Sequence, residues 1–332
     1  MTKAEDLKEK CNLAILGDWF QYNNPRVDLI QWSLNYFNRA ANIFEHIYVI
    51  PGNHDYRMDG YALDFLKEIN RNNITYITPE TGQYVYEVMD GYHAFFMPYY
   101  DNEKSGVSYT DFVINHKNQI TSDKTCLFAH LYDDMSKSGS ESDLITKYIS
   151  NIDFNVFSEI FHQVISGHVH TKQKYTKNGM DVYYPGNFQC LGRHDIDLDK
   201  SYLIMDNSGN VEEVLTDHIL YVKRNVNSIN EDIGDILPDK SYVVYLSIGG
   251  YSGMNSVVLD WIDSQYKKYS NVLNIVVINS ISKTFDITSQ SFSDFESISV
   301  EDLIQRKIIE LTDNEKIEYL TKLLKEVPSN EE

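Results

Sequence analysis

Cysteine, proline, basic residues and long apolar runs are all scarce in this 332-residue sequence, and each scarcity excludes something. Cys11, Cys126 and Cys190 are the three cysteines. They are odd in number and widely spaced, which fits neither a disulfide framework nor a thiolate zinc site and points to a reducing, cytoplasmic setting. No apolar run approaches the roughly 18 residues needed to span a bilayer. The first ten residues, MTKAEDLKEK, carry charge where a secretory leader needs an apolar centre. Lys and Arg number 29 against 49 Asp and Glu, a net charge of −20. Such a surface disfavours a protein that wraps a nucleic-acid backbone unaided, because each neutralised phosphate needs a local cation. It does not exclude an enzyme that meets phosphate through a bound metal. No internal repeat suggests a solenoid.

What is present is a core. Apolar residues make up 42% of the chain and aromatics 13%, enough to pack a large domain with a satellite. Up to about residue 220, short apolar runs alternate with loops and helical patterns. Leu13–Leu16, Ile47–Ile50, His93–Met97, Thr125–Ala129, Val164-Ile165 and Tyr202–Met205 read as strands buried on both faces. Ile30, Leu34, Phe37 and Ala41 repeat at helical spacing between the first two. The class is α/β. From about Lys223 the character changes: Ser241–Ser247, a helical stretch from Val257 to Tyr269, and Val272–Ile278 suggest a small β-α-β unit. A Ser- and Asp-rich linker follows over 282–299. Two short helices close the chain, the second opened by the capping box Thr312-x-x-Glu315.

Four strand ends carry polar, metal-competent residues. Leu16 leads into Gly17-Asp18, Ile50 into Gly52-Asn53-His54-Asp55, Ala129 into His130, and Ile165 into Gly167-His168-Val169-His170. Side chains at the carboxyl ends of neighbouring strands converge in one crevice. Hydrolysis of a phosphate ester at two cations needs a bridging carboxylate, a carboxamide oxygen, imidazoles and an acidified water. Asp18 offers the carboxylate, Asn53 the amide oxygen, and His130, His168 and His170 the nitrogens. If Gly167–His170 is extended, His168 and His170 point the same way. His54 then reads as the general acid for the leaving alkoxide, with Asp55 holding its ring. Taken singly, Asp18 also reads as a helix amino-cap, His130 as a structural histidine, and the His168/His170 pair as surface residues of a turn.

In this order and spacing, the motifs resemble the calcineurin-like metallophosphoesterases. Tyr184-Pro185-Gly186-Asn187, followed by a charged loop and Lys200–Met205, looks like the SbcD branch, the nuclease subunit of DNA double-strand-break repair complexes, and in particular its short phage-type members. The resemblance implies a β-sandwich flanked by helices over 1–221, a small α/β cap domain over 222–281, and a C-terminal helix pair over 300–328. It implies two divalent cations, manganese, with Asp18 bridging, Asn53, His130 and His168 on one and His170 on the other. His54 becomes the acid of an exo- or endonuclease. The implied partners are DNA, an SbcC-like ATPase docked on the terminal helices, and a second copy of the chain, with no membrane. The implied setting is the cytoplasm of a bacterium or phage-infected cell.

One departure stands out. Members of that family open with a strand ending in Asp-x-His, and this sequence has no such motif. A late start, a split gene and a natural single-metal or inactive relative are the competing explanations. The departure predicts weak metal retention at the His170 side and an open sheet edge at the first strand. A metallophosphatase acting on small phosphoesters or phosphoprotein, and a catalytically incomplete subunit that only tethers the ATPase, remain alternatives.

Overall fold

A computed structural model describes residues 11–133, 152–189, 199–249 and 256–278. The first layer is a parallel three-stranded sheet of β1 (Leu13–Leu16), β2 (Ile47–Ile50) and β5 (Ile74–Tyr76), in the order β1-β2-β5. Between β1 and β2 lies the helix α1 (Val27–Ala40). Arg26 is extended (φ −63, ψ 151), and the helix begins at Val27. Asp18 therefore does not cap it. After β2 come a two-residue hairpin, β3 (Tyr56–Arg57) with β4 (Gly60–Tyr61), and the turn that leads to β5.

The second layer runs through β6 (Val85–Met89), β7 (Tyr92–Met97), helix α2 (Tyr109–His116), β8 (Thr125–Ala129), helix α3 (Phe154–Ile160), β9 (Gln163–Ser166), β10 (Gln173–Lys177) and β11 (Met180–Tyr184). Its order is β10-β11-β9-β8-β7-β6. The β7, β8, β9 and β11 strands are mutually parallel, and antiparallel β6 and β10 close the margins. A separate hairpin pairs β12 (Ser201–Met205) with β13 (Val211–Leu215).

Strand alternation explains how the layers stack. On β2, Tyr48 and Ile50 point into a large core with Phe95, Phe96, Leu127 and Ile165 of the second sheet. Ile47 and Val49 point the other way, onto Phe37 and Ala40 of α1 and Leu63 and Leu66 beyond the hairpin. β2 is thus buried on both faces. Phe37 is wholly buried, which contributes about 1.5–3 kcal/mol from its apolar area. β1 and most of β12 are only half-buried, contrary to the expectation that both are fully enclosed. Among the described residues β1 has one ladder partner, β2.

The last described region is a parallel sheet of β14 (Leu220–Val226), β15 (Tyr242–Ile248) and β16 (Val272–Val277), with α4 (Ser256–Lys268) between the last two. The expected β-α-β unit omitted β14, and the boundary drawn at 221/222 cuts through it. Val222 and Val226 pack with Val244, Leu246, Trp261 and Ile262 in a cluster of their own. The linker 282–299 and the helix pair 300–328 lie outside the described residues. No helix among the described residues is long and apolar enough to cross a membrane. Cys11 and Cys126 are free thiols.

Candidate metal centre

Register brings the four strand ends together. Leu16 pairs with Ile50, and Met97, Ala129 and Ser166 lie abreast on β7, β8 and β9. The next residues along each chain therefore emerge at one rim. Within that rim, His130 Nε2 is 3.1 Å from Asp18 Oδ2 and 2.9 Å from Asn53 Oδ1. His168 Nδ1 lies 2.8 Å from the same Asn53 oxygen and 3.1 Å from His130 Nε2. The donor atoms of Asp18, His130 and His168 all fall within 4.8 Å of one another.

The other faces of these groups are tied to backbone. His130 Nδ1 is 2.7 Å from the Leu16 carbonyl, an acceptor only, so Nδ1 carries the proton and donates it there. Neutral His130 then presents a bare Nε2 lone pair to a carboxylate oxygen and an amide oxygen. Asp18, Asn53 and His130 thus turn three lone-pair donors toward one point, and His168 Nδ1 joins them in the tautomer that carries its proton on Nε2. The spacing suits ligands sharing one cation at roughly 2.1 Å, whose adjacent donors lie about 3 Å apart. Backbone-locked imidazole is also the usual second contact of a metal-ligating histidine. The residues present fit a divalent cation.

The electrostatics agree. Burial pushes the Asp18 carboxyl up, but the charge and hydrogen bond of His130, with His54 behind them, outweigh it and hold Asp18 well below the usual carboxylate range. Burial lowers His130, yet Asp18 reverses the sign and the ring is raised. His168 is brought down to about 3 by burial and then by His130. A metal ion at His130 Nε2 would compete with a proton for the same lone pair.

Two loops in left-handed backbone aim these side chains. Asp18 has φ +53 and His168 φ +78, conformations that β-carbon-bearing residues adopt at a cost of about 1–3 kcal/mol and that concentrate at functional sites. At Gly52 an added Cβ would collide with Asp18 Oδ1 and lie 2.7 Å from the His130 ring, so glycine is required there. Asp55, wholly buried, accepts the backbone N–H groups of Gly52 (2.9 Å), Phe20 (3.2 Å) and Trp19 (3.3 Å). That carboxylate ties the β1 loop to the β2 loop. Burial, chiefly, raises its pKa to about 6.

Two expected roles change. Asp55 was expected to hold the His54 ring. Its oxygens instead accept backbone N–H groups, and His54 Nδ1 is 2.9 Å from the Gln21 carbonyl, to which it donates. The main-chain N–H of His54 donates to Asp18 Oδ1 at 2.9 Å, leaving Oδ2 for the cluster. Nor do His168 and His170 share a side by strand alternation, because the left-handed His168 breaks the extended run. His170 lies outside the group of three whose donors are within 4.8 Å. Its carbonyl accepts the Asn187 N–H at 3.0 Å, which places the Pro185-Gly186-Asn187 turn against the histidine loop.

Sequence reasoning missed the supports. The Leu16 and Gln21 carbonyls carry no signal in residue type. Tyr132 and Tyr99, whose rings meet those of His168 at 5.9 Å and His130 at 6.4 Å, have no motif around them. The one hint in the sequence is that Tyr132 lies two positions beyond His130.

A carboxylate, a carboxamide and two imidazoles at the ends of parallel strands define a metallohydrolase type of site. The chain belongs to the calcineurin-like phosphoesterase family, whose model matches residues 2–172, just over half of it. It is accordingly a metallophosphoesterase-type hydrolase of a family that uses divalent metal ions. No curated protein matches the chain. Solved structures similar to it include a novel archaeal phosphodiesterase, at 15% identity over 65% of this chain and 88% of that one, TM-score 0.34. A Staphylococcus aureus protein described as a 5′-nucleotidase matches at 16% identity over 56% of this chain and 39% of its own, TM-score 0.34. A phosphopantetheinyl hydrolase from Mycobacterium tuberculosis matches at 17% identity over 56% of this chain and 83% of its own, TM-score 0.31. Likeness at this level says nothing about which phosphoester is cut.

Proposed function

We propose that the chain is a manganese-dependent, SbcD-like DNA nuclease subunit that hydrolyses phosphodiester bonds. The observation that carries phosphoester hydrolysis is the convergence of Asp18, Asn53, His130 and His168 with His130 Nδ1 locked to Leu16. The choice of DNA rests on the sequence resemblance. A bound divalent cation supplies Lewis acidity and an acidified water at neutral pH. Asp18, Asn53, His130 and His168 would hold it, and His170 would serve a second. His54, its Nδ1–H fixed on the Gln21 carbonyl, has Nε2 available to deliver a proton to the leaving alkoxide. Asp55 keeps the two loops in register while the proton moves. The partners in this reading are DNA, an SbcC-like ATPase held by residues 300–328, and a second copy, in bacterial or phage-infected cytoplasm.

The test is cleavage of a labelled duplex oligonucleotide by the full-length chain with its ATPase partner and Mn²⁺. His54→Ala is expected to lower kcat by roughly 10²–10⁴-fold, the usual loss for a general acid. Equal rates for the two proteins would overturn the role of His54. Turnover of small phosphoesters without DNA cleavage would make the chain a phosphatase instead. A second reading, a subunit that only tethers the ATPase, follows from the lack of an Asp-x-His motif in this sequence. It predicts that removing residues 299–332 abolishes the complex while Mn²⁺ never stimulates cleavage.

A further inference from the structure

Sheet margins in this chain differ in how they are guarded. The β6 margin carries Glu87 and a register break beside it, β10 carries Lys174 and Lys177, and β13 carries Glu212 and Glu213. Charge and irregularity of this kind deter another strand from pairing. β1 and β12, which read Leu-Ala-Ile-Leu and Ser-Tyr-Leu-Ile-Met, carry no charge, no proline and no bulge. They are also the two strands that the core leaves largely half-buried.

The ladders fix which main-chain groups these two margins present. Leu13 N–H donates to the His46 carbonyl at 2.8 Å, so in the parallel pairing Leu13 and Ile15 turn toward β2 while Ala14 and Leu16 turn away. Thr216 N–H donates to the Lys200 carbonyl at 2.8 Å and Asp206 N–H to Asn210 at 3.0 Å, so Tyr202 and Ile204 turn toward β13 while Leu203 and Met205 turn away. Of the outward main-chain groups on these four residues, the Leu16 carbonyl is bonded, to His130 Nδ1. The others have no partner among the described residues.

Both margins lie on one face of the six-stranded sheet. Tyr48 of β2 stacks on Phe96 at 4.8 Å and Phe96 on Phe128 at 5.2 Å, while Met205 reaches Cys126, on the same side of β8 as Phe128, at 3.8 Å between sulfurs. Their separation can be counted on the strands beneath. At one end Asn12, just ahead of β1, donates to the Val88 carbonyl of β6 at 2.5 Å, while Met205 sits on β8. At the other, Leu16 meets His130 beyond β8, while Ser201 Oγ donates at 3.1 Å to the Pro185 carbonyl beyond β11. Because the sheet runs β11-β9-β8-β7-β6, the offset is two strands at both ends, about 10 Å at roughly 4.8 Å per strand. Directly paired strands would be offset by one. Glu213 pairs with Lys172, which leads into β10, so β13 lies on the far side of β12 from β1.

We propose that the slot between β1 and β12 binds one extended strand of another polypeptide, uncharged and apolar on both faces over four residues, the length of β1. A strand is the occupant because extended main chain satisfies two rows of N–H and C=O groups at once. It is apolar on both faces because Ala14 and Leu16 lean on the large core and Leu13 and Ile15 on the α1 cluster. Its source is another chain because, outside the described residues, this sequence has no four consecutive apolar residues, and residues 1–10 hold six charges. β1 climbs toward the site rim and β12 descends from it, so the added strand pairs parallel with one and antiparallel with the other. The proposal does not depend on which phosphoester is cut.

The test is amide hydrogen exchange on the full-length chain with and without the peptide Lys-Lys-Thr-Val-Ile-Val-Ile-Thr-Lys-Lys. The N–H groups of Ala14, Leu16, Leu203 and Met205 are expected to slow roughly tenfold or more with the peptide, and those of Ile15 and Ile204, bonded already, much less. A peptide with proline in place of both isoleucines should protect neither margin. Ala14→Pro removes an outward N–H and no bond to β2, and should weaken protection at Leu203 by about tenfold. An unchanged thermal midpoint would verify that the variant folds. Protection of one margin alone, or of neither, overturns the slot. Protection that appears without peptide as the chain dimerises at rising concentration makes a second copy the occupant and overturns the proposal. So does protection obtained when the same strand is fused ahead of residue 1 but not when it is added free, which would put the source within one chain.

Discussion

Two three-stranded parallel sheets occur among the described residues, and one of them carries the candidate site. In β1-β2-β5 the middle strand is buried on both faces, whereas in β14-β15-β16 the middle strand alternates buried and half-buried residues. The first sheet is sandwiched between α1 and a six-stranded sheet, and at its carboxyl rim His130 and Asp55 are buried with Asp18, Asn53 and His168 half-buried around them, where charges act more strongly than in open solvent. The second packs α4 on Val244 and Leu246 in a small cluster. Its strand ends are tied backbone to backbone, Gly249 N–H to Val226 and Ile278 N–H to Leu246, instead of opening into histidine-bearing loops. The Asn227 N–H is held by the Glu231 carboxylate at 3.0 Å, a loop clasp like that of Asp55 but with no imidazole near it. Parallel architecture therefore provides the rim. The loop residues at the strand ends decide whether it becomes a site.

The comparison breaks most completely at Asp18. Asp18→Asn keeps an oxygen for the His54 N–H and removes the charge that His130 faces. Activity is expected to fall by about 10³-fold or more, since a lost ligand charge withdraws several kcal/mol of electrophilic stabilisation. Manganese affinity, followed by calorimetric titration, should fall with it; unchanged affinity would show that Asp18 is not a ligand. Asp55→Ala comes next. Three N–H groups lose a buried charged acceptor, which should cost about 3 kcal/mol in urea unfolding and weaken metal binding roughly 10–100-fold through the misplaced loops. Equal destabilisation with full metal affinity would mean that the clasp does not position the ligands.

How much of this was legible depends on what kind of interaction did the work. β1, β2 and β8 were readable to the residue because they are short, largely apolar runs, and the candidate site residues stood out because Gly-Asp, Gly-Asn-His-Asp and His130 come just beyond them. β14 was missed. Its sequence Leu-Tyr-Val-Lys-Arg-Asn-Val mixes charge into a half-exposed strand, and only pairing with β15 over seven residues reveals it. Asp55 was assigned to the wrong neighbour because adjacency to His54 suggested a ring contact, while the long-range bonds to Trp19 and Phe20 leave no trace in sequence. The left-handed His168 was equally invisible: nothing in Gly-His-Val-His states where the chain turns. The strand-end side chains of Asp18, Asn53, His130 and His168 could be named from the sequence, whereas the backbone contacts that hold them could not.

The difference between the sheets also shows in what metal does to stability. At manganese a hundredfold above Kd, binding should add about 2.7 kcal/mol, and EDTA should remove it. For a domain of this size, that lowers the thermal midpoint by about 5–10 °C. A midpoint indifferent to EDTA would mean that the cluster does not hold an ion.

The smallest effect sharpens the contrast by leaving the site alone. Val244 is wholly buried on the middle strand of the β14-β15-β16 sheet. Val244→Ala removes two methyl groups and leaves a void, which should cost about 2 kcal/mol by urea or thermal unfolding. The manganese-induced rise in midpoint should keep its full size, because no site ligand comes from that sheet or packs in its cluster. If the rise shrinks in step with the lost stability, the two sheets are thermodynamically one structure. The site rim then depends on both sheets and not on the sandwich alone.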